Sequence, residues 1–421
     1  MTIALVMGNM IGSGIFLLPA SLAPYAGLSL AGWLVSTAGA LALAAVFAHL
    51  AQLDPVAGGP YAYTRRAFGD LPAFLVGWGY WISIWTSLGA LAVAFAGYLG
   101  SVIPALTRSP AAAAITAVAA VWLLIAVNAA GIRSAGRVQV VTTVLKVLPL
   151  LAVGAFGVFQ FEPAHFAIQN SDPRVVVSSA AAAATLTLWA FLGLESATVP
   201  AAGIDDPRRT IPRATIVGTL VTAAIYIVST AGVMSLVSPS ALGQSQAPFA
   251  DAAGALWGRT GATIVALGAS LSAFGALNGW VLLVGQLPLA IARDGLFPRI
   301  FTQVSGRGTP TSGMLIAGVL TTILVGLNYT RGLVDLFTFI ILLSTLNTLV
   351  PYLFSSLAVF LVDAGDARSR LAHGMGSAAA LAFVYSVWAV GGAGQETVYW
   401  GFLLLVCGLP VYVGCRRNAN P

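Results

Sequence analysis

The chain is short of charge. Of its 421 residues only 8% are Asp, Glu, Lys or Arg, while 58% are hydrophobic; a soluble domain carries about 25% charged residues. So few charges cannot cover a surface that faces water, which excludes an ordinary soluble globular protein and leaves most of the exterior to lipid. The net charge of +6 rests on arginines scattered through short loops, so it is no nucleic-acid patch. Cysteine is almost absent. Cys407 and Cys415 lie in or after the last apolar segment and suggest neither a disulfide framework nor a metal site. His49, His165 and His373 are far apart, which argues against a metal cluster. No nucleophile with its base and no H-E-x-x-H motif stands out, so an enzyme is not expected and no cofactor is implied. No basic residues precede the first apolar run and nothing like a signal-peptidase site follows it, so MTIALVMGNM reads as the start of a membrane helix.

What is present is a series of long apolar runs. A membrane helix needs about 20 mostly apolar residues, and twelve segments qualify, near 2–24, 28–52, 70–100, 110–131, 137–160, 176–203, 212–237, 260–291, 311–328, 333–362, 372–391 and 397–415. Their connections are short, with no soluble domain between them. With the N-terminus placed in the cytoplasm, fourteen arginines fall in cytoplasmic loops: residues 65, 66, 133, 137, 208, 209, 213, 293, 299, 307, 368, 370, 416 and 417. Four fall outside, Arg108, Arg174, Arg259 and Arg331, and Lys146 lies within a segment. Cytoplasmic loops collect Lys and Arg, so the expected protein is multi-pass in a bacterial plasma membrane with both termini cytoplasmic.

Two segments carry unusual interruptions. The first holds Gly8-Asn9-Met10-Ile11-Gly12-Ser13-Gly14, and the sixth holds Trp189-Ala190-Phe191-Leu192-Gly193-Leu194-Glu195. They open successive sets of five segments. Such paired interruptions mark an inverted-repeat transporter and its binding site. The expected architecture is all-α: a single transmembrane domain with repeats at 1–160 and 174–362 and additional helices at 370–416.

Unwound backbone at membrane depth survives only where it lines a cavity. The amides that open the half-helix after Gly12-Ser13-Gly14 suit an anion, such as a substrate carboxylate. Carbonyls freed near Trp189 and Leu192 suit an ammonium. Together they would read the backbone of an α-amino acid. Small residues packing helices closely are the plainer account of the glycines. Glu195 and Lys146 are ionisable groups within apolar runs and therefore candidate coupling groups. For Lys146 the alternative is snorkelling toward the cytoplasmic side. Trp189, Trp280, Tyr80 and Tyr352 fall inside segments, where packing competes with cavity lining. Arg65-Arg66 and the Asp205–Arg209 charges read as topology anchors.

The ordered series GNMIGSGIFLLPASLA, LDPVAGGPYAYTRRAFG, FLGLESATVPAAGIDDPRRTIPRAT, APFADAA and DGLFPRIF resembles the amino acid–polyamine–organocation transporters, and within them the arginine/agmatine antiporters. The resemblance implies the LeuT-type fold, five helices plus five inverted with two added, and commonly a homodimer. It implies that Ser13 and Gly14 hold a carboxylate and that the carbonyls of Met10, Trp189 and Leu192 hold an amine, with Gly12 in the break. It places Trp189 over the substrate, Trp280 against its side chain, and Asn9, Ser344 and Thr348 along the pocket. Tyr80, Glu195 and Tyr352 would form an inner gate. Two departures bear on substrate. Leu88 stands where the arginine antiporters have an asparagine for the guanidinium, and Ser83, Ile84 and Leu91 differ around it. Lys146 matches sodium-independent relatives instead. The sequence reading is therefore a sodium-independent transporter of neutral amino acids, by exchange or proton coupling. The alternative is a cationic amino acid/diamine antiporter, and a third reading is a sensor that binds without transport.

Overall fold

The computed structural model describes residues 2–12, 14–55, 58–129, 135–168, 172–198, 204–306, 308–364 and 373–419. Ser13 and the arginines at 133, 307, 368 and 370 lie outside the described residues, as do the side chains of residues 135–146, Lys146 among them. The regular elements are helices: α1 (Thr2–Met10), α2 (Gly14–Leu22), α3 (Leu28–Leu53), α4 (Pro60–Phe68), α5 (Asp70–Val102), α6 (Pro110–Ala129), α7 (Ala135–Val158), α8 (Pro173–Trp189), α9 (Pro207–Leu236), α10 (Pro239–Leu242), α11 (Pro248–Arg293), α12 (Thr311–Asn328), α13 (Leu333–Ala364), α14 (His373–Gly392), α15 (Gln395–Val406) and α16 (Gly408–Ala419). Helices α4, α6, α8, α9, α10 and α11 each begin at proline. There the missing N–H removes only a donor that has no intrahelical partner, and the fixed φ favours the first turn.

Nine helices among the described residues are long and apolar enough to cross a membrane. The first, fifth and sixth expected segments are not among them. The first is two nine-residue pieces, the sixth stops at Trp189 after 17 residues, and the fifth is described as an apolar helix only over Val147–Val158. Two expected boundaries shift. The eighth segment is preceded by a helical arm from Pro248, joined to it at Gly258, whose φ of 66° is outside the helical range. The twelfth divides at Cys407, because Pro410 cannot donate to the carbonyl of Val406 and so breaks the ladder there.

The helix pairings carry an internal symmetry. Exchange each of the first five segments for its counterpart in the next five: α1 for α8, α3 for α9, α5 for α11, α6 for α12, α7 for α13. Then α5 on α13 becomes α11 on α7, α5 on α6 becomes α11 on α12, α3 on α8 becomes α9 on α1, and α1 on α7 becomes α8 on α13; all of these pairs are in contact. The pairs α3–α9 and α5–α11 map onto themselves and are among the most extensive contacts. Five crossings is an odd number, so the second half enters from the opposite side and the repeat is inverted. Helix α14 packs on α13, α3 and α8, outside this scheme.

Apolar side chains such as Ile115, Leu271, Leu327 and Val384 are more than half exposed. That is where lipid must lie, since water would penalise such a surface. At one end of the bundle, Arg65 pairs with Asp70 and Asp294, Arg416 reaches Asp70, and Tyr61 donates to Asp294. Arg65 and Arg416 thus tie α4, α5, the end of α11 and α16 together, while Arg66 pairs with Asp54 at the end of α3, although exposed pairs of this kind contribute little individually.

Helices α7 and α9 cross without intervening side chains. A Cβ on Gly232 would stand 2.6 Å from the carbonyl oxygen of Gly154, and one on Gly154 would stand 2.8 Å from Cα of Ser229. Small residues permit this approach, and dispersion between the backbones rewards it. Gly232→Val should destabilise the protein by about 1–3 kcal/mol through overpacking. The check is a lowered midpoint of thermal unfolding in detergent. Gly326→Val, at a glycine with nothing within 4 Å of its Cβ position, should stay near the parent. Equal midpoints for both variants would refute the close crossing.

Candidate functional site

The two interruptions meet at the centre of the bundle. After Met10 the chain turns once, with Gly12 N–H donating to Met10 O at 2.7 Å, and α2 starts at Gly14. After Trp189 it passes through successive short turns, with Leu192 N–H donating to Trp189 O at 3.1 Å, then through Gly193 at φ 101° to a 3-10 turn at Ser196–Thr198. The Met10 and Trp189 carbonyls are therefore half-engaged, each keeping one lone pair. Each break also receives the other. A Cβ on Gly14 would overlap the Trp189 indole, and a Cβ on Gly193 would press on Asn9 at 3.3 Å.

A small cavity lies at this junction, lined by Asn9, Met10, Gly12, Gly14, Ser87, Leu91, Trp189, Leu192 and Trp280. Its volume is about 20 Å³, enough for a single water at about 10–15 Å³ and too small for an amino acid. Trp189 stands edge-on to Phe337 of α13, with centroids 5.5 Å apart. Its ring closes the cavity over the start of α2, and admitting a ligand requires that ring or Trp280 to move.

The expected site residues divide into three sets. Asn9, Met10, Gly12, Gly14, Trp189, Leu192 and Trp280 surround the cavity. Ser83, Ile84, Leu88, Ser344 and Thr348 are buried on α5 and α13 behind that wall, at most 2% exposed. Ser13 and the Lys146 side chain lie outside the described residues. Ser87 and Leu91 take the wall position on α5. They are one helical turn apart and share a face, whereas Leu88 is rotated about 100° from Ser87.

Behind Ser87 runs a ladder of hydroxyls. Ser87 Oγ and Ser344 Oγ are 2.7 Å apart, Ser344 Oγ donates to the Ser83 carbonyl at 2.9 Å, and Thr348 Oγ1 donates to the Ser344 carbonyl at 3.0 Å. Below the second break the Glu195 side chain, 1% exposed, bridges two helices. Tyr80 of α5 donates to its Oε1 at 2.7 Å, and Tyr352 of α13 donates to its Oε2 at 2.7 Å. The Gly193 N–H adds a third donor to Oε2 at 3.2 Å. Three donors from three separate segments converge on one carboxyl group, which closes the bundle beneath the cavity.

Comparison with known proteins gives a consistent picture. The family model described as amino acid permease matches residues 1–409. The cadaverine/lysine antiporter of Escherichia coli (strain K12) is 34% identical over 363 residues, covering 83% of this chain and 80% of that protein. The putrescine transporter PotE of Haemophilus influenzae is 30% identical over 411 residues, covering 97% and 94%. Among solved structures, the Eremococcus coleocola manganese transporter superposes with a TM-score of 0.62 at 14% identity, over 98% of this chain and 92% of that one. At that identity the likeness is one of fold alone.

The convergence on Glu195 generates a test. Removing the Tyr80 phenol leaves Oε1 without its donor and removing that of Tyr352 leaves Oε2 with the Gly193 N–H alone, and a hydrogen bond to a charged group contributes about 1.5–3 kcal/mol. Tyr80→Phe and Tyr352→Phe should each lower the unfolding midpoint in detergent. In a Glu195→Gln background the same phenylalanine substitutions should cost less. A double-mutant cycle reads the coupling directly, and strictly additive losses would show that the phenols act independently of the carboxyl group.

Proposed function

The chain belongs to the amino acid permease family, and from that premise we propose that it is a sodium-independent antiporter exchanging cationic amino acids and diamines. At the coarser level it is a multi-pass membrane transporter of amino acids or polyamines and not an enzyme. The observation that carries the finer reading is the company it keeps. The relatives named above are a cadaverine/lysine antiporter and a putrescine transporter, whose ligands all carry a distal ammonium. This favours the cationic alternative over the neutral substrate suggested by Leu88.

In this reading the amides opening α2 at Ser13 and Gly14 hold the carboxylate of an amino acid, assisted by the helix dipole. The second lone pairs of Met10 and Trp189 and the carbonyl of Leu192 hold the α-amine. Trp189 is the lid on one side, and Tyr80, Glu195 and Tyr352 are the gate on the other. Trp280 offers its face to the distal cation. Segments one, two, six and seven rock against the rest. Lys146 supplies a fixed positive charge where other transporters bind sodium, and Glu195 biases the two states by its protonation. The arginine distribution supports cytoplasmic termini in a bacterial plasma membrane, and the resemblance supports a homodimer.

A neutral substrate is the second reading. It is supported by Leu88, buried where the resemblance places a guanidinium partner, and by a described cavity wall without a carboxylate. The test is exchange in sodium-free reconstituted vesicles loaded with unlabelled lysine. Labelled lysine and cadaverine should enter loaded vesicles and not empty ones. Uptake of labelled leucine without lysine would overturn the cationic reading in favour of the neutral one. Tight binding without flux of either would point to a sensor.

A further inference from the structure

The hydroxyl ladder behind the cavity fixes the direction of its own hydrogen bonds. Ser344 Oγ has one proton, and it goes to the Ser83 carbonyl, an oxygen that can only accept. With that proton committed to the carbonyl, the 2.7 Å contact between Ser344 and Ser87, in which either hydroxyl can donate, takes its proton from Ser87. The Ser87 proton then lies on the Ser344 side, and the oxygen of this cavity-lining residue keeps lone pairs that can accept. Ser344 is held in turn: α5 offers it the Ser83 carbonyl, and Thr348 binds its own carbonyl at 3.0 Å.

From this geometry we infer that Ser87 is the residue that selects a distal ammonium, and that Ser344 is a positioning residue acting through it. The inference rests on the cationic reading above and deepens it. A primary ammonium is donor-only, with three protons to place. A buried cation without acceptors is costly, and Leu88 has none to give. The remaining wall of the cavity carries Ser87 of α5 and Trp280 of α11, a hydroxyl that can accept and an aromatic ring that can take a cation. The two breaks are occupied with the α-amino end, so the α5–α11 wall faces the side-chain end. A ligand bearing an acceptor there, such as a side-chain carboxylate, would meet the lone pairs of Ser87 and be repelled. The site thus recognises a cation by an oriented hydroxyl and an aromatic face, with no formal countercharge.

The experiment compares the affinities of lysine, cadaverine and norleucine for the purified protein by calorimetry. Norleucine keeps the apolar chain of lysine and lacks its ammonium. Losing one hydrogen bond to a charged group weakens binding about tenfold to hundredfold. Ser87→Ala should lose that much for lysine and cadaverine, and much less for norleucine. Ser87→Thr keeps the oxygen and should restore most of the loss, which separates the hydroxyl from packing. Ser344→Ala frees the Ser87 proton and should weaken the two cations in the same direction. Equal losses for lysine and norleucine in Ser87→Ala would overturn the assignment, as would unaltered affinities. A parent protein that exchanges lysine while Ser87→Ala binds it equally well defeats this inference and leaves the antiporter standing. A parent that ignores both cations defeats the two together.

Discussion

Everything at the centre of this molecule depends on the reciprocal contact between its two interrupted helices. Gly14, in the first break, leaves space that the Trp189 ring of the second fills, and Gly193, in the second, leaves space that Asn9 of the first approaches. Each break lends its glycine to the other's side chain. Each of these approaches needs a glycine on one side, because a Cβ there would meet the partner residue. The closeness is what places a helix N-terminus and a set of half-used carbonyls around one small volume. Broken helices in lipid are costly unless their freed polar groups find partners, so the same contact that builds the site also limits what may occupy it.

The contact also links the two ends of the cavity. Trp189 and Glu195 are six residues apart on one irregular stretch, with Gly193 between them. The ring lies over the start of α2, while the carboxyl group binds α5 and α13 through Tyr80 and Tyr352. On the proposed reading, a ligand that pushes the ring aside would pull on the stretch that carries the carboxylate. Alternating access requires that the two closures not open together. Placing both on one short segment, anchored to different helices, is a compact way to make them interdependent. The helix pairings preserved on exchanging the two halves give this segment a counterpart in the first break.

Much of this was legible in the sequence, and the remainder was hidden for identifiable reasons. The breaks at Gly12–Gly14 and Gly193 were readable because glycine and a carboxyl group inside apolar runs have few other uses in a membrane. The boundaries of most crossings followed from the length of apolar runs. The wall position of Ser87 was not readable. Helix α5 is buried on nearly every side, so no polar stripe marks which face meets the cavity, and the resemblance drew attention to Leu88 one position along. Nothing in the order of residues says that Ser344 spends its proton on the Ser83 carbonyl, since the two are 261 positions apart. The arm from Pro248 to Gly258 was missed because its composition continues smoothly into the crossing that follows. Substrate class was legible only as two alternatives: Leu88 argued for a neutral substrate, the named relatives favour the cationic one, and the acceptor proposed at Ser87 beside it becomes visible only in three dimensions.

The contrast between Leu88 and Ser87 bears on how such a site can both bind a cation and release it. A buried carboxylate would hold an ammonium strongly, but breaking that pair on the far side would leave an uncompensated charge in the protein, at a cost of about 3–5 kcal/mol. A hydroxyl, carbonyls and an aromatic face spread the same stabilisation over neutral groups. Each keeps its other hydrogen bonds when the ligand leaves: Ser87 to Ser344, Met10 to Gly12, Trp189 to Leu192. Among the described residues, no charged side chain lines the small cavity between Trp189 and Trp280. On the proposed cationic reading, a site without a countercharge suits an exchanger that must surrender one diamine or basic amino acid before accepting the next. The absence of a carboxylate from the described cavity wall then stops being an objection to a cationic substrate.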